Sequence, residues 1–226
     1  MSYSELLSTR WDEQVKKNNE ECLLDIENRD KDLITKVENF RNQMMTAEER
    51  DSLSLEDLLL QIKNNIFLRA AFRKDPTKQS IHEKGQIEWI KAHKYSDLEK
   101  LPSNTSGLCL SNKKFHKITG GKRPAGATKS FDTISPSRNI YGILKHTGVD
   151  GGAQDNQRAD VENFINQGVD YLTETPDAKE MFEVYLDGQY YNEKRRSSLN
   201  DLIPSALKGR ILITSCASIS PSSTPV

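Results

Sequence analysis

Asp132 and Lys145 are the residues whose types and spacing point most directly to chemistry. Asp132 lies in the short strand pattern Ser130-Phe131-Asp132-Thr133-Ile134. Lys145 interrupts a second one, Tyr141-Gly142-Ile143-Leu144-Lys145-His146-Thr147. Between them, Ser135-Pro136-Ser137-Arg138-Asn139 supplies turn chemistry. Period two puts Ile143, Lys145 and Thr147 on one face and Gly142, Leu144 and His146 on the other. If the turn folds the strands together, Asp132 lies near Ile143, one step along the ladder from Lys145. A carboxylate and an ammonium then converge on one point. Such a pair can hold a cation and steady charge on a phosphate. A structural salt bridge accounts for it equally well. By alternation His146 points away from Lys145, which leaves it outside this chemistry.

A second carboxylate comes from further upstream. Asp75-Pro76 reads as an N-cap followed by proline at the first helical position. The helix is predicted from about Thr77 to His93. Gln79, Glu83, Ile87 and Ile90 share one of its faces. A carboxylate on an apolar stripe needs a partner or a metal, although a surface glutamate at the stripe's edge is the commoner case. Lys78 and Gln79 occupy the first turn, where helices often meet phosphates.

A third group follows the lysine strand. Asp150-Gly151-Gly152 opens a predicted helix from about Ala153 to Gln167, with Gln154, Asp155, Asn156 and Gln157 in its first turn. Gly152 and its neighbour allow close backbone approach. Gln and Asn side chains can hydrogen-bond a base edge. Upstream, Gly120-Gly121-Lys122-Arg123-Pro124-Ala125-Gly126 reads as a flexible basic loop. It is either a plain hairpin tip or an arm for a DNA groove.

The charge distribution agrees with this grouping. From Gly107 to Thr147 there are 8 Lys+Arg, and Asp132 is the lone acid. From Met1 to Leu60 the balance reverses, with 15 Asp+Glu against 8 Lys+Arg. A net charge of −1 argues against a polycation that coats nucleic acid, but a local basic surface is still suited to phosphates.

The remaining elements must position these groups. Residues 1–72 read as helices, with apolar stripes at Leu23, Ile26, Leu33, Val37 and Phe40 and at Leu55, Leu58, Leu59, Ile62, Ile66 and Leu68. Ser54 is a plausible N-cap. Leu108 to Leu110, Phe115 to Ile118, Met181 to Leu186 and Ile211 to Thr214 read as strands. The Ser/Pro-rich tail, 215–226, is expected to lack regular structure. Cys22, Cys109 and Cys216 are scattered, so neither a zinc site nor a disulfide framework is expected. The mean hydropathy of −0.70 and the polar start predict a cytoplasmic protein with no membrane span and no signal peptide.

Taken in order, these are a helix with Glu83, a strand, a strand with Asp132, a strand with Lys145, a helix and a strand. This order resembles the PD-(D/E)XK nuclease superfamily, and within it the bacterial type II restriction endonucleases, over roughly Asp75 to Thr214. The compact size is similar to that of rare eight-base cutters. Phe131-Asp132 and Ile143-Leu144-Lys145 match the two halves of the motif. Phe131 stands in place of proline, and Ile143 in place of a second acid that would bind metal.

The resemblance implies an α/β fold, with a central mixed β-sheet flanked by helices and an N-terminal helical region for packing or dimerisation. The expected division is 1–72, a core at 73–214 and the tail. It also implies Mg²⁺-dependent, sequence-specific cleavage of double-stranded DNA by a homodimer, with no small-molecule cofactor, within a restriction-modification system. Asp132 and Glu83 would hold the metal, helped by the Leu144 backbone carbonyl, and Lys145 would act on the phosphate. Lys78, Gln79, Lys122, Arg123, Gly152, Gln154, Asn156 and Gln157 would contact DNA. A non-cleaving DNA-binding regulator and a repair or structure-specific nuclease are the alternatives.

Overall fold

The computed structural model describes residues 1–103, 106–148 and 153–220, with Ala153 and Gln154 described by backbone only. The chain divides into two compact units, Glu5–Ile81 and Met1–Ser4 with His82–Val226. The division falls between Ile81 and His82, not at 72–73.

The first unit is helical. It contains most of α1 (Tyr3–Glu27), then α2 (Lys31–Met44), α3 (Ala47–Ser52), α4 (Leu55–Asn64) and α5 (Ile66–Phe72). Cys22, Ile26, Leu33, Val37, Leu58, Leu59, Ile62 and Phe72 form its core. Ser54 caps α4 in a capping box with Asp57. Asn65 ends α4 and caps α5. The apolar stripe therefore breaks there, and Ile66 stands exposed where continuous periodicity would bury it.

The predicted helix from Thr77 to His93 is two elements. Asp75 does cap, accepting from Thr77 N–H at 2.9 Å. The capped element is a tight 3-10 turn, Pro76–Gln79, closed by Ser80 in the left-handed region at φ 53°. The α-helix starts afresh as α6 (Ile81–His93). Gln79 and Glu83 thus sit on different elements.

The second unit is built on a five-stranded mixed sheet in the order β1 (Glu99–Lys100), β4 (Thr133–Ser135), β5 (Ile140–His146), β6 (Met181–Asp187) and β7 (Ile211–Thr214). β4 runs antiparallel to both β1 and β5, and β5, β6 and β7 are parallel to one another. The expected strands at 108–118 lie outside this sheet. They form a separate antiparallel ribbon, β2 (Leu108–Ser111) with β3 (Lys114–Lys117). The sheet's edge is instead the two-residue β1.

Helix α7 (Ala153–Glu174) connects β5 to β6. It runs on past Gln167, and at Gly168 it lies close to Phe182, where an added Cβ would come within 3.3 Å of the ring. Helix α8 (Glu193–Asn200), which the sequence reading did not predict, precedes β7. Its arginines serve the fold: Arg195 donates to Tyr190 O, and Arg196 to Leu186 O and Tyr191 O.

The parallel register gives the sheet two different faces. Ile143 lies beside Val184 and Lys145 beside Leu186 on one face. There Ile143, Phe182, Val184 and Leu186 join Val161, Phe164, Ile165 and Leu172 of α7 in an apolar core. On the other face, Gly142, Leu144 and His146 lie beside Glu183, Tyr185 and Asp187. Side chains of α6 and the residues after it cover this face through polar contacts, among them Lys94 to Glu183 at 3.0 Å and Tyr95 to Glu183 at 2.7 Å. The start of the tail is not free: Ser215 and Cys216 are buried.

Gly188 joins the ends of the two central strands. Its φ is +90°, and an added Cβ would fall 2.1 Å from Thr147 O. Gly188→Ala should therefore lower unfolding free energy by more than about 2 kcal/mol in denaturant melts. Gly209, with nothing within 4 Å of an added Cβ, is the control, and Gly209→Ala should stay within about 0.5 kcal/mol.

Candidate active site

Asp132 lies where two strands part. Its N–H donates to Gly142 O at 2.9 Å, and its carbonyl accepts from Leu101 N–H at 2.8 Å. One residue earlier the chain leaves the sheet, with Phe131 N–H donating to Leu108 O of the ribbon at 2.8 Å. Strand β5 continues past this fork, so Leu144 N–H faces a gap where a longer β4 would have supplied a carbonyl. The Asp132 carboxylate fills it, accepting from Leu144 N–H at 2.7 Å. In a strand, a residue's N–H and C=O face the same edge, so the Leu144 carbonyl is turned to this gap too. The strand pairing ends at Thr133 with Gly142, so Asp132 stands just before β4 and has no ladder partner of its own.

Charges gather round this carboxylate. Burial dominates its environment and raises its pKa above the ordinary carboxylate range. The Leu144 N–H opposes that shift, as do the positive charges of Lys145 and Lys100, while the negative charge of Glu83 adds to it. Glu83, Asp132 and Lys145, widely separated in sequence, are therefore electrostatic neighbours. Among the described residues, Asp132 and Lys145 make no ion pair within 4.0 Å. A simple salt bridge is not what joins the two strands. Glu83 is bound instead to Lys100, at 2.6 Å, with side-chain exposures of 30% and 50%, so water and small ions reach it.

This donor set suits a hard cation. Asp132 and Glu83 offer carboxylate oxygens and Leu144 a carbonyl. Mg²⁺ is commonly bound by one or two carboxylates plus phosphate oxygens and water. Ile143 is 4% exposed in the α7-side core, so the position of the second motif acid serves packing here. No group of three or more His, Cys, Asp or Glu suited to a metal gathers among the described residues.

His82 and His146 stack with ring centroids 3.6 Å apart, on the face opposite Lys145. Burial lowers the pKa of both, that of His146 to about 4. His146 is therefore neutral at physiological pH.

The expected DNA contacts divide. Lys122 and Arg123 are exposed in the loop after β3, where Gly120 and Gly121 have positive φ. Asn156 is exposed in the first turn of α7. Gln157 is engaged internally, its amide oxygen accepting from Thr147 Oγ1 at 2.6 Å. Gly152 lies outside the described residues, as does the Gln154 side chain. Lys78 and Gln79 belong to the helical unit and line a cleft there with Glu21, Asp25, Asp30 and Asp32. Lys36, Arg73 and Lys74 line the same cleft, so its charge is mixed.

Sequence reasoning missed Lys100, Gln86 and Asp187. Lys100 lies on a strand too short to show a period. Gln86, three residues after Glu83, was legible only as a polar residue beside Ile87 and Ile90 on α6. Asp187 was visible only as the Asp of an Asp-Gly turn.

A raised folded-state pKa makes the charged Asp132 a cost to the fold. That cost is absent below the ordinary carboxylate range and grows as pH rises through the folded value. Asp132→Asn keeps an oxygen for Leu144 N–H and should melt at or above the wild-type temperature at pH 7. The difference should close at acid pH, as thermal melts across a pH series would show.

No family model, curated protein or solved structure matches this chain.

Proposed function

We propose that this chain is a Mg²⁺-dependent, site-specific double-stranded DNA endonuclease, with a PD-(D/E)XK-type core like that of type II restriction enzymes. The observation that carries this reading is the half-hidden Asp132 carboxylate, held by Leu144 N–H at the edge of β5, with Glu83 and Lys145 close enough to act on its charge. Along the chain, α6 with Glu83 is followed by edge strand β1, the separate ribbon, Asp132 just before β4, Lys145 on β5, helix α7 and parallel strand β6.

In this reading Asp132 and Glu83 hold the cation, with the Leu144 carbonyl beside them. The bound cation polarises the phosphate and lowers the pKa of the attacking water. Lys145 places its ammonium against charge developing on the phosphate oxygens and helps orient the water. Glu83 must release Lys100 to take up a cation, which leaves the Lys100 ammonium beside the incoming phosphate. Lys122, Arg123 and Asn156 extend the contact along DNA. A palindromic target calls for a two-fold homodimer. Leu60, Ile66 and Phe67, exposed on the helical unit, are where that contact is to be sought.

Ile143 in place of an acid favours one rival, a DNA-binding regulator that does not cut. Digestion of long unmodified DNA with Mg²⁺ and with EDTA separates the readings. Discrete Mg²⁺-dependent fragments are expected. A smear would move the function to a nonspecific or repair nuclease, and intact DNA with retained binding would support the regulator. Lys145→Ala should lower turnover by about a hundredfold or more, with DNA affinity in gel shifts changed only a few-fold. Replacing Lys122 and Arg123 by alanine should weaken binding and reduce its salt dependence by about one unit of slope for each phosphate no longer neutralised. Turnover at saturating DNA should hold.

A further inference from the structure

A buried polar network connects α6 to the strand ends. Gln86, 1% exposed, lies three residues after Glu83 on α6. Its Nε2 donates to Asp187 Oδ2 at 2.7 Å and to Lys145 O at 3.3 Å. One side chain therefore ties the helix carrying Glu83 to the backbone of the residue carrying the ammonium.

Asp187 anchors this arm. It closes β6, is 4% exposed, and makes no ion pair within 4.0 Å among the described residues. Neutral donors hold it from several directions: Ser215 Oγ at 2.5 Å, Cys216 N–H at 3.0 Å and Tyr3 OH at 3.4 Å. A buried carboxylate surrounded in this way has little freedom to move. An apolar residue at position 86 would seal the same face with no desolvated amide. What the amide adds is direction, since its hydrogen bonds fix the axial position of α6 against β5.

Resting on the nuclease reading above, we propose that Gln86 is a positioning residue. Held by Asp187, it sets Glu83 against Lys145 and Asp132 so that the two carboxylates share one divalent cation. Partners one step outside a metal's ligands commonly change affinity or activity by about 10- to 100-fold when removed.

The test uses the full chain, with Mn²⁺ as probe. Mn²⁺ affinity is read by electron paramagnetic resonance, and kcat and KM are measured on a cleaved duplex. Gln86→Met, which keeps the bulk, is made in the wild-type and Glu83→Gln backgrounds. In the wild-type background Mn²⁺ affinity and kcat should each fall about tenfold or more, with KM within about twofold. In the Glu83→Gln background the same change should cost less than about twofold, because nothing remains to position. Unchanged Mn²⁺ affinity, or an equal loss in both backgrounds, would overturn the proposal while leaving the nuclease reading intact. If the wild-type protein neither binds Mn²⁺ nor cleaves, both fall. Should Gln86→Met fail to fold, Ser215→Ala loosens Asp187 from the other side. It should weaken Mn²⁺ binding about threefold, and wild-type affinity would again overturn the proposal.

Discussion

A single buried N–H, that of Leu144, governs the centre of this protein. Strand β5 must run on to His146 to complete its parallel pairing with β6. Its other neighbour leaves at Phe131, drawn off by the ribbon. A buried N–H without an acceptor costs about 1–3 kcal/mol. The chain meets this need with the carboxylate of the last residue before the fork, Asp132. That solution puts a charge in a desolvated place, which raises its pKa, and it makes the nearby cations Lys145 and Lys100 useful. The fold's requirement for an acceptor and the proposed site's requirement for a fixed acid call on the same atoms.

The two faces of the sheet divide the work. The α7 side is closed by aromatic and aliphatic side chains, with Phe131, Phe164 and Phe182 in mutual contact. Such packing supplies stability that scales with buried apolar area. The other side, by contrast, is held by buried polar groups. Glu183, 1% exposed, accepts from Lys94, Tyr95 and Tyr185, and its proximity raises the pKa of both tyrosines, whose burial is the larger cause. Buried ion pairs gain little net stability, because desolvation offsets their attraction. They do restrict geometry. Glu183 holds the residues just after α6, and Asp187 holds its middle through Gln86. The helix that carries Glu83 is therefore fixed by directional contacts at two points along the strand it covers.

How much of this could be read from the sequence varied with the range of the interaction. Local chemistry was legible. Asp75 and Ser54 cap where their neighbours say they should, and Pro136 with Asn139 turns β4 into β5 in a register that pairs Thr133 with Gly142. Non-local pairing was not. The 108–118 strands have strand-like patterns, but nothing in a pattern says which sheet they join. The true edge strand, Glu99–Lys100, is too short for a period to appear. Ser80 breaks the helix by adopting a left-handed conformation that its residue type does not advertise. Gln157 matched a base-reading side chain in type and place, yet Thr147, ten residues earlier, holds it. Polar residues carry no sequence mark that separates an internal partner from an external one.

The central claim is that Asp132 and Glu83 together hold a divalent cation beside Lys145. Anomalous diffraction from crystals soaked in Mn²⁺ tests it most directly. A peak bound by both carboxylates, next to the Leu144 carbonyl, is the expected result. No peak at Asp132, with the Glu83–Lys100 pair unchanged at saturating Mn²⁺, would contradict it.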